Sequence, residues 1–144
     1  MTKKVGVLFL ALIMISVMLL PGCDDENTLY VYNWGDYMDM EVIKMFEKET
    51  GIKVRYQTYT TNEDMYVKLK SGSAKYDVIF PSDYMLDRMV QEGLVQKIDL
   101  NNIPNFALIN DIFKDPEYDP GNQYSVPYLW GTVGILYNKK MVQE

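Results

Sequence analysis

Residues 29–57, LYVYNWGDYMDMEVIKMFEKETGIKVRYQ, change hydrophobic period twice, and that change decides the fold class. Leu29-Tyr30-Val31-Tyr32-Asn33 is rich in aromatic and β-branched side chains and ends at Trp34-Gly35-Asp36, so it reads as a strand. From about Asp39 the spacing turns helical. Met40, Ile43 and Phe46 form an apolar stripe flanked by Val42 and Met45, Glu41, Lys44, Glu47 and Lys48 alternate in charge, and Gly51 stops the helix after Thr50. Ile52-Lys53-Val54-Arg55-Tyr56-Gln57 then alternates apolar with polar, the period of a strand with one wetter face and a place at a sheet edge.

The pattern continues downstream. Asn62 before Glu63 and Asp64 reads as an N-cap with acids in the first turn of a second helix, which runs through Met65, Val67 and Leu69 towards Gly72. Tyr76-Asp77-Val78-Ile79-Phe80 is a more continuously apolar third strand, closed by Pro81-Ser82-Asp83, and Tyr84 to Glu92 runs helically to Gly93. Strand–helix alternation of this kind predicts an α/β fold, an open and mostly parallel sheet with helices on both faces. Ligands of such sheets lie beyond the carboxyl ends of the strands, where the winding reverses. If the first and third strands are neighbours, Trp34-Gly35-Asp36-Tyr37 and Pro81-Ser82-Asp83-Tyr84 emerge side by side on one rim, each with an aromatic ring and a carboxylate.

After Gly93 the regularity weakens. Leu94–Ile98 reads as a short extended piece, Asn101–Asn105 as loop and Ile109–Phe113 as one or two helical turns. Asp115-Pro116 and Asp119-Pro120-Gly121-Asn122 are turn signals ahead of the extended Tyr124–Trp130. Gly131–Asn138 reads as a strand and Lys139–Glu144 as the beginning of a helix, an ending without cap or tail that suggests a truncated reading frame.

Upstream, Lys3 and Lys4 precede the apolar run Val5–Leu20, which is short of the about 20 residues of a membrane-spanning helix and suits a secretory signal. Leu20-Pro21-Gly22-Cys23 resembles a bacterial lipobox, with Pro21 departing from the commoner small residues. That resemblance implies cleavage before Cys23, a lipid on its thiol and a tether outside the cytoplasmic membrane; a buried structural cysteine beside an ordinary signal is the alternative. Asp24-Asp25-Glu26 then reads as a solvated linker. The expected organisation is a signal at 1–22, a lipidated Cys and tether at 23–28, an amino-terminal lobe at 29–130, and a crossing strand with the start of a second lobe at 131–144.

Composition removes whole function classes. The 144 residues are 48% hydrophobic, enough for a packed core. With 14 Lys+Arg against 20 Asp+Glu the net charge is −6, and loss of a leader carrying Lys3 and Lys4 makes the remainder more acidic, so nucleic acid is not an expected partner. No histidine is present, which excludes Ser-His-Asp and Cys-His catalysis and every His-containing zinc site within this chain. Neither a metal nor a cofactor is expected. A single cysteine allows no intramolecular disulfide.

Asn33-Trp34-Gly35-Asp36-Tyr37, Glu49-Thr50-Gly51-Ile52-Lys53-Val54, Asp77-Val78-Ile79-Phe80-Pro81-Ser82 and Tyr124-Ser125-Val126-Pro127-Tyr128-Leu129-Trp130-Gly131 together resemble the amino-terminal lobe of the spermidine/putrescine-binding proteins of bacterial polyamine ABC importers. The resemblance runs from about residue 28 to the end, and its specific part is Tyr-Asn-Trp-x-Asp/Glu-Tyr. It implies a type II periplasmic-binding-protein-like fold of two α/β lobes around a cleft, with about half the family's length outside this chain, a polyamine as ligand and an ABC permease as partner. This length by itself would then bind only weakly. The resemblance places Trp34, Asp36 and Tyr37 on the family's first ligand loop and Ser82 and Tyr84 on its second. Gly35 stands where members often carry Thr or Ser and leaves only its backbone there; Asp83 lies between matched positions and ranks below them. Tyr128 and Trp130 read as hinge packing.

The chemistry of the two loops agrees with a polyamine. Methylenes with ammonium ends need ring faces, from Trp34, Tyr37 and Tyr84, and carboxylates, from Asp36 and Asp83. Other roles stay open: Trp34 as a strand-end core residue, Tyr37 as a staple on the first helix, Asp36 as an N-cap and Ser82 as the cap of the third helix. So do other functions. The same scaffold suits a sugar, an amino acid or an iron complex, and Asp36 with Asp83 are the only rim candidates for an acid-pair glycosidase.

Overall fold

A computed structural model describes residues 27–142. The secretory signal, the lipobox Cys23 and Asp24–Glu26 of the tether lie outside the described residues.

Strand β1 spans Thr28–Trp34, helix α1 Met40–Thr50, β2 Lys53–Tyr59, α2 Asn62–Lys70, β3 Val78–Ile79 and α3 Asp83–Gln91. The three strands are parallel in the order β2-β1-β3. The chain therefore steps to one side of β1 and then back across it. With right-handed crossovers, that reversal puts α1 and α2 on opposite faces of the sheet. Within this sheet β2 is an edge, as its alternating pattern predicts.

Local chemistry sets the ends of the elements. Asp39 caps α1 by accepting the Glu41 N–H at 2.8 Å, and Gly51 closes it at φ +73°, its N–H bonded to the Glu47 carbonyl. Asp39, not Asp36, is thus the cap of α1. The cap of α2 is Thr61, whose Oγ1 accepts the Asp64 N–H at 3.1 Å. Asn62 is one residue inside the helix and buried, because its amide is drawn away to the third strand's loop. Ser82 occupies the N-cap position of α3 by backbone conformation, but its side chain makes no cap bond.

β3 is shorter than the expected Tyr76–Phe80. Only Val78 and Ile79 pair with Val31 and Tyr32; single bonds from Asp77 N to Tyr30 O (2.9 Å) and Phe80 N to Tyr32 O (3.2 Å) flank them. Tyr76 leaves the ladder to stack on Tyr32, with ring centroids 4.4 Å apart and planes 8° from parallel. The expected strand at Gly131–Asn138 has no ladder partner among the described residues, and a strand exists only by pairing; the segment is exposed. Beyond α3 the chain makes three short 3-10 turns, at Leu100–Asn102, Pro104–Leu108 and Asp111–Phe113.

The core lies on the α2–α3 side. Tyr32, Tyr59, Met65, Tyr66, Met85 and Met89 form it, with Trp34, Leu69, Tyr76, Ile79 and Val95 packed around it. At the far ends of α2 and α3, Glu92 accepts from Lys70 (2.7 Å), Arg88 (3.0 Å) and the Tyr66 hydroxyl (2.7 Å), and the Arg88 guanidinium lies 4.0 Å over the Tyr66 ring. This network braces the two helices at the end opposite the strands' carboxyl rim. Further on, the Asp119 carboxylate is buried and organises the loop after Asp115, taking the N–H groups of Gln123, Tyr124 and Ser125.

Candidate functional site

Parallel strands deliver their carboxyl ends to one rim, and register fixes which residues meet there. Trp34 pairs with Tyr59 across β1 and β2, while Tyr32 pairs with Ile79, so the Trp34 loop and the Pro81 loop leave the sheet side by side. The carbonyl of Phe80 is their common anchor. It accepts the indole Nε1–H of Trp34 at 3.0 Å and also the hydroxyl of Tyr59.

Trp34 is half-buried. Its ring packs 4.8 Å from Tyr59 and 5.9 Å from Tyr37, tilted 51° and 36°, and its backbone N–H is held by Asn33 Oδ1 at 2.7 Å. Burial pushes the Tyr59 phenol well up from its ordinary range, so it remains a donor to Phe80. Tyr37 is 48% exposed beside the indole. Its carbonyl accepts from the Tyr128 hydroxyl, and the Tyr128 ring sits edge-on to Phe80 at 4.7 Å. Tyr128 therefore packs between the two loops, and Trp130 packs at 5.5 Å on Phe113 instead. Asp36 is exposed beyond them. Gly35 is exposed as well, and a Cβ built on it meets nothing within 4 Å, so the loop has room for a side chain there.

The second loop is tied down by α2. Ser82 donates its N–H to Asn62 Oδ1 at 3.2 Å, and Asn62 Nδ2 donates to the Tyr84 hydroxyl at 2.9 Å. The Tyr84 hydroxyl in turn donates to Glu63 Oε1 at 3.1 Å. The Tyr84 ring remains 55% exposed. Asp83 folds one oxygen back onto the Tyr84 N–H at 2.7 Å and is otherwise exposed. Its charge adds to the burial that raises the phenol of Tyr118.

Every residue expected at the site thus stands on this rim, in two groups. Trp34 and Tyr37 share a ring contact; Ser82 and Tyr84 share Asn62; the groups meet through Phe80 and not by ring contact between Trp34 and Tyr84. Asp36 and Asp83 are both exposed, whereas an acid held protonated for glycoside cleavage needs burial. Among the described residues no cluster of three or more His, Cys, Asp or Glu is placed to hold a metal ion. The residues that sequence reasoning missed are Tyr59, Asn62 and Glu63. The signal was available: Tyr59 ends β2 and Asn62 and Glu63 open the helix after it, and all three parallel strands open onto the same rim.

The family described as bacterial extracellular solute-binding protein matches residues 41–144. The chain is 47% identical over 116 residues to the spermidine/putrescine-binding periplasmic protein of Escherichia coli, covering 80% of this chain and 33% of that protein. A spermidine/putrescine ABC transporter substrate-binding protein of Streptococcus pneumoniae superimposes with a TM-score of 0.76 at 45% identity, over 83% of this chain and 37% of that one. A lipoprotein of Treponema pallidum superimposes with a TM-score of 0.67 at 41% identity, over 71% and 32% of the two chains. The chain thus spans about a third of the length of these relatives, a smaller share than half.

Proposed function

Because this chain belongs to the bacterial extracellular solute-binding proteins, we propose that it captures a polyamine of the spermidine/putrescine class outside the cytoplasmic membrane for an ABC importer. The family is one of solute binding, not of catalysis. One observation carries the reading: exposed rings of Tyr37 and Tyr84 and the half-buried indole of Trp34 occupy the same rim as the carboxylates of Asp36 and Asp83.

The chemistry of such a wall is selective for flexible cations. Each ammonium over a ring is worth about 0.5–2 kcal/mol and each charge-assisted hydrogen bond about 1.5–3 kcal/mol, so a few contacts with an opposing wall reach micromolar affinity after the cost of association. A neutral sugar has no ammonium to set over a ring or against a carboxylate, and an amino acid brings a carboxylate that these acids repel, so neither uses the combination as a polycation does. Residues 29–130 serve as the amino-terminal lobe in this reading, 131–144 leads towards a second lobe, and ligand closes the cleft by a hinge motion that the permease reads. Cys23 carries the lipid anchor that holds the protein at the membrane face; the similarity to a lipoprotein supports that assignment.

Calorimetric titration of the full-length gene product tests the proposal. Spermidine or putrescine binds at micromolar concentration or below, while a neutral sugar and an amino acid do not. Binding of either of those in preference to a polyamine overturns it.

A further inference from the structure

We propose that Asn62 and Glu63 are positioning residues that turn the Tyr84 hydroxyl into an acceptor reserved for cationic ligands. The inference rests on the polyamine reading and deepens it.

A phenol carries one proton and two lone pairs on its oxygen. The proton is committed first: Glu63 Oε1 lies 3.1 Å away, and an ionised carboxylate only accepts. One lone pair is committed next, to Asn62 Nδ2 at 2.9 Å. The sense of that bond is set independently, because the other end of the same amide accepts the Ser82 N–H at 3.2 Å and so must be the oxygen. What Tyr84 keeps for a ligand is its exposed ring and one lone pair. An ammonium, which has donors and no acceptor, fits that remainder. A solute that presents acceptors, such as a carboxylate, finds no donor there.

Burial separates the two roles. Asn62 is 3% exposed and reaches no ligand; it acts through Ser82 and Tyr84 alone. A polar side chain this buried in the first turn of a helix is kept only where both ends of its amide are satisfied, as they are here. Glu63 is exposed, so its replacement spares the core.

The test uses the full-length gene product with Glu63→Ala and Tyr84→Phe, singly and together, titrated with spermidine and putrescine and followed by thermal unfolding. Glu63→Ala removes the acceptor, frees the phenol proton and weakens polyamine binding about tenfold, the scale of one charge-assisted hydrogen bond, with the unfolding midpoint nearly unchanged. In the Tyr84→Phe background the same substitution changes affinity by less than about twofold, because the group it acts through is gone. Losses that add in the double variant reduce Glu63 to a distant charge and overturn the clamp, as does unchanged affinity in Glu63→Ala. Absence of any polyamine binding by the unaltered protein overturns both the clamp and the polyamine reading, whereas additive losses overturn the clamp alone.

Discussion

Trp34 is the residue where a ligand role and a packing role separate most cleanly, by comparing Trp34→Ala with Trp34→Phe. Alanine removes an indole that donates to Phe80 O at 3.0 Å and packs on Tyr59 at 4.8 Å and Tyr37 at 5.9 Å. The Phe80 carbonyl keeps the Tyr59 hydroxyl, so no buried acceptor is orphaned. The stability lost is therefore one net hydrogen bond, about 1 kcal/mol, plus roughly half of the 3–5 kcal/mol of a fully buried Trp→Ala change, since the ring is half-buried. That makes about 2.5–3.5 kcal/mol. Phenylalanine keeps most of the ring and gives up the hydrogen bond, about 1 kcal/mol. Affinity for spermidine should order differently: Trp34→Ala removes the ring face and its methylene contact and weakens binding about ten- to a hundredfold, while Trp34→Phe stays within about tenfold. Urea unfolding and calorimetric titration of both variants give the two scales. Equal affinity in the two, beside a clear difference in stability, would show that Trp34 only packs and would refute the ligand role.

Four further outcomes follow from particular contacts. Hydrogen bonds from Lys70, Tyr66 and Arg88 lower the Glu92 carboxyl from 4.5 to about 2. A carboxyl depressed in the folded state stabilises it above pH 4.5, and that contribution disappears as pH falls from 4.5 towards 2; urea midpoints of Glu92→Gln should therefore fall less over this range than those of the unaltered protein. Met65, fully buried on α2 within the core cluster, should cost about 2–5 kcal/mol on Met65→Ala in the same assay. A Cβ at Gly35 meets no atom within 4 Å, so Gly35→Thr should leave stability within about 0.5 kcal/mol while polyamine affinity holds or rises, measured by titration. Tyr128→Phe releases the Tyr37 carbonyl and should weaken polyamine binding several-fold, with a change in stability near 1 kcal/mol at most.

Much of this architecture was legible before any coordinates. The passage from period two to period 3.6 and back between Leu29 and Gln57 is a local property of side-chain spacing, and β1, α1 and β2 lie where it puts them. The caps were less legible. Asn62 and Thr61 are both good N-caps by residue type, and the choice fell to Thr61 because Ser82 and Tyr84, twenty and more residues away, engage the Asn62 amide. Ser82 shows the converse: a cap by type and backbone whose side chain does not cap. β3 was overextended because apolar content at Tyr76 and Phe80 says nothing about whether a partner backbone is within reach; Tyr76 found a better contact as a ring on Tyr32.

The candidate site divides along the same line. Residue types and strand order placed Trp34, Asp36, Tyr37, Ser82, Asp83 and Tyr84 near one another, because parallel strands with helical crossovers share a carboxyl rim whatever their packing. Which of their atoms remain free could not be read from the chain. That the indole N–H and the Tyr59 hydroxyl converge on Phe80 and that the Tyr84 proton goes to Glu63 both depend on which donors and acceptors lie within about 3 Å, a distance set by the packing of distant segments. By itself the sequence determined the elements, their alternation and the chemical character of the rim, since these follow from spacing and side-chain type along a few neighbouring residues. The tertiary structure alone decided how each polar group on that rim is spent, since a hydrogen bond is directional and short and its partner here sits 20 or more positions away in the chain.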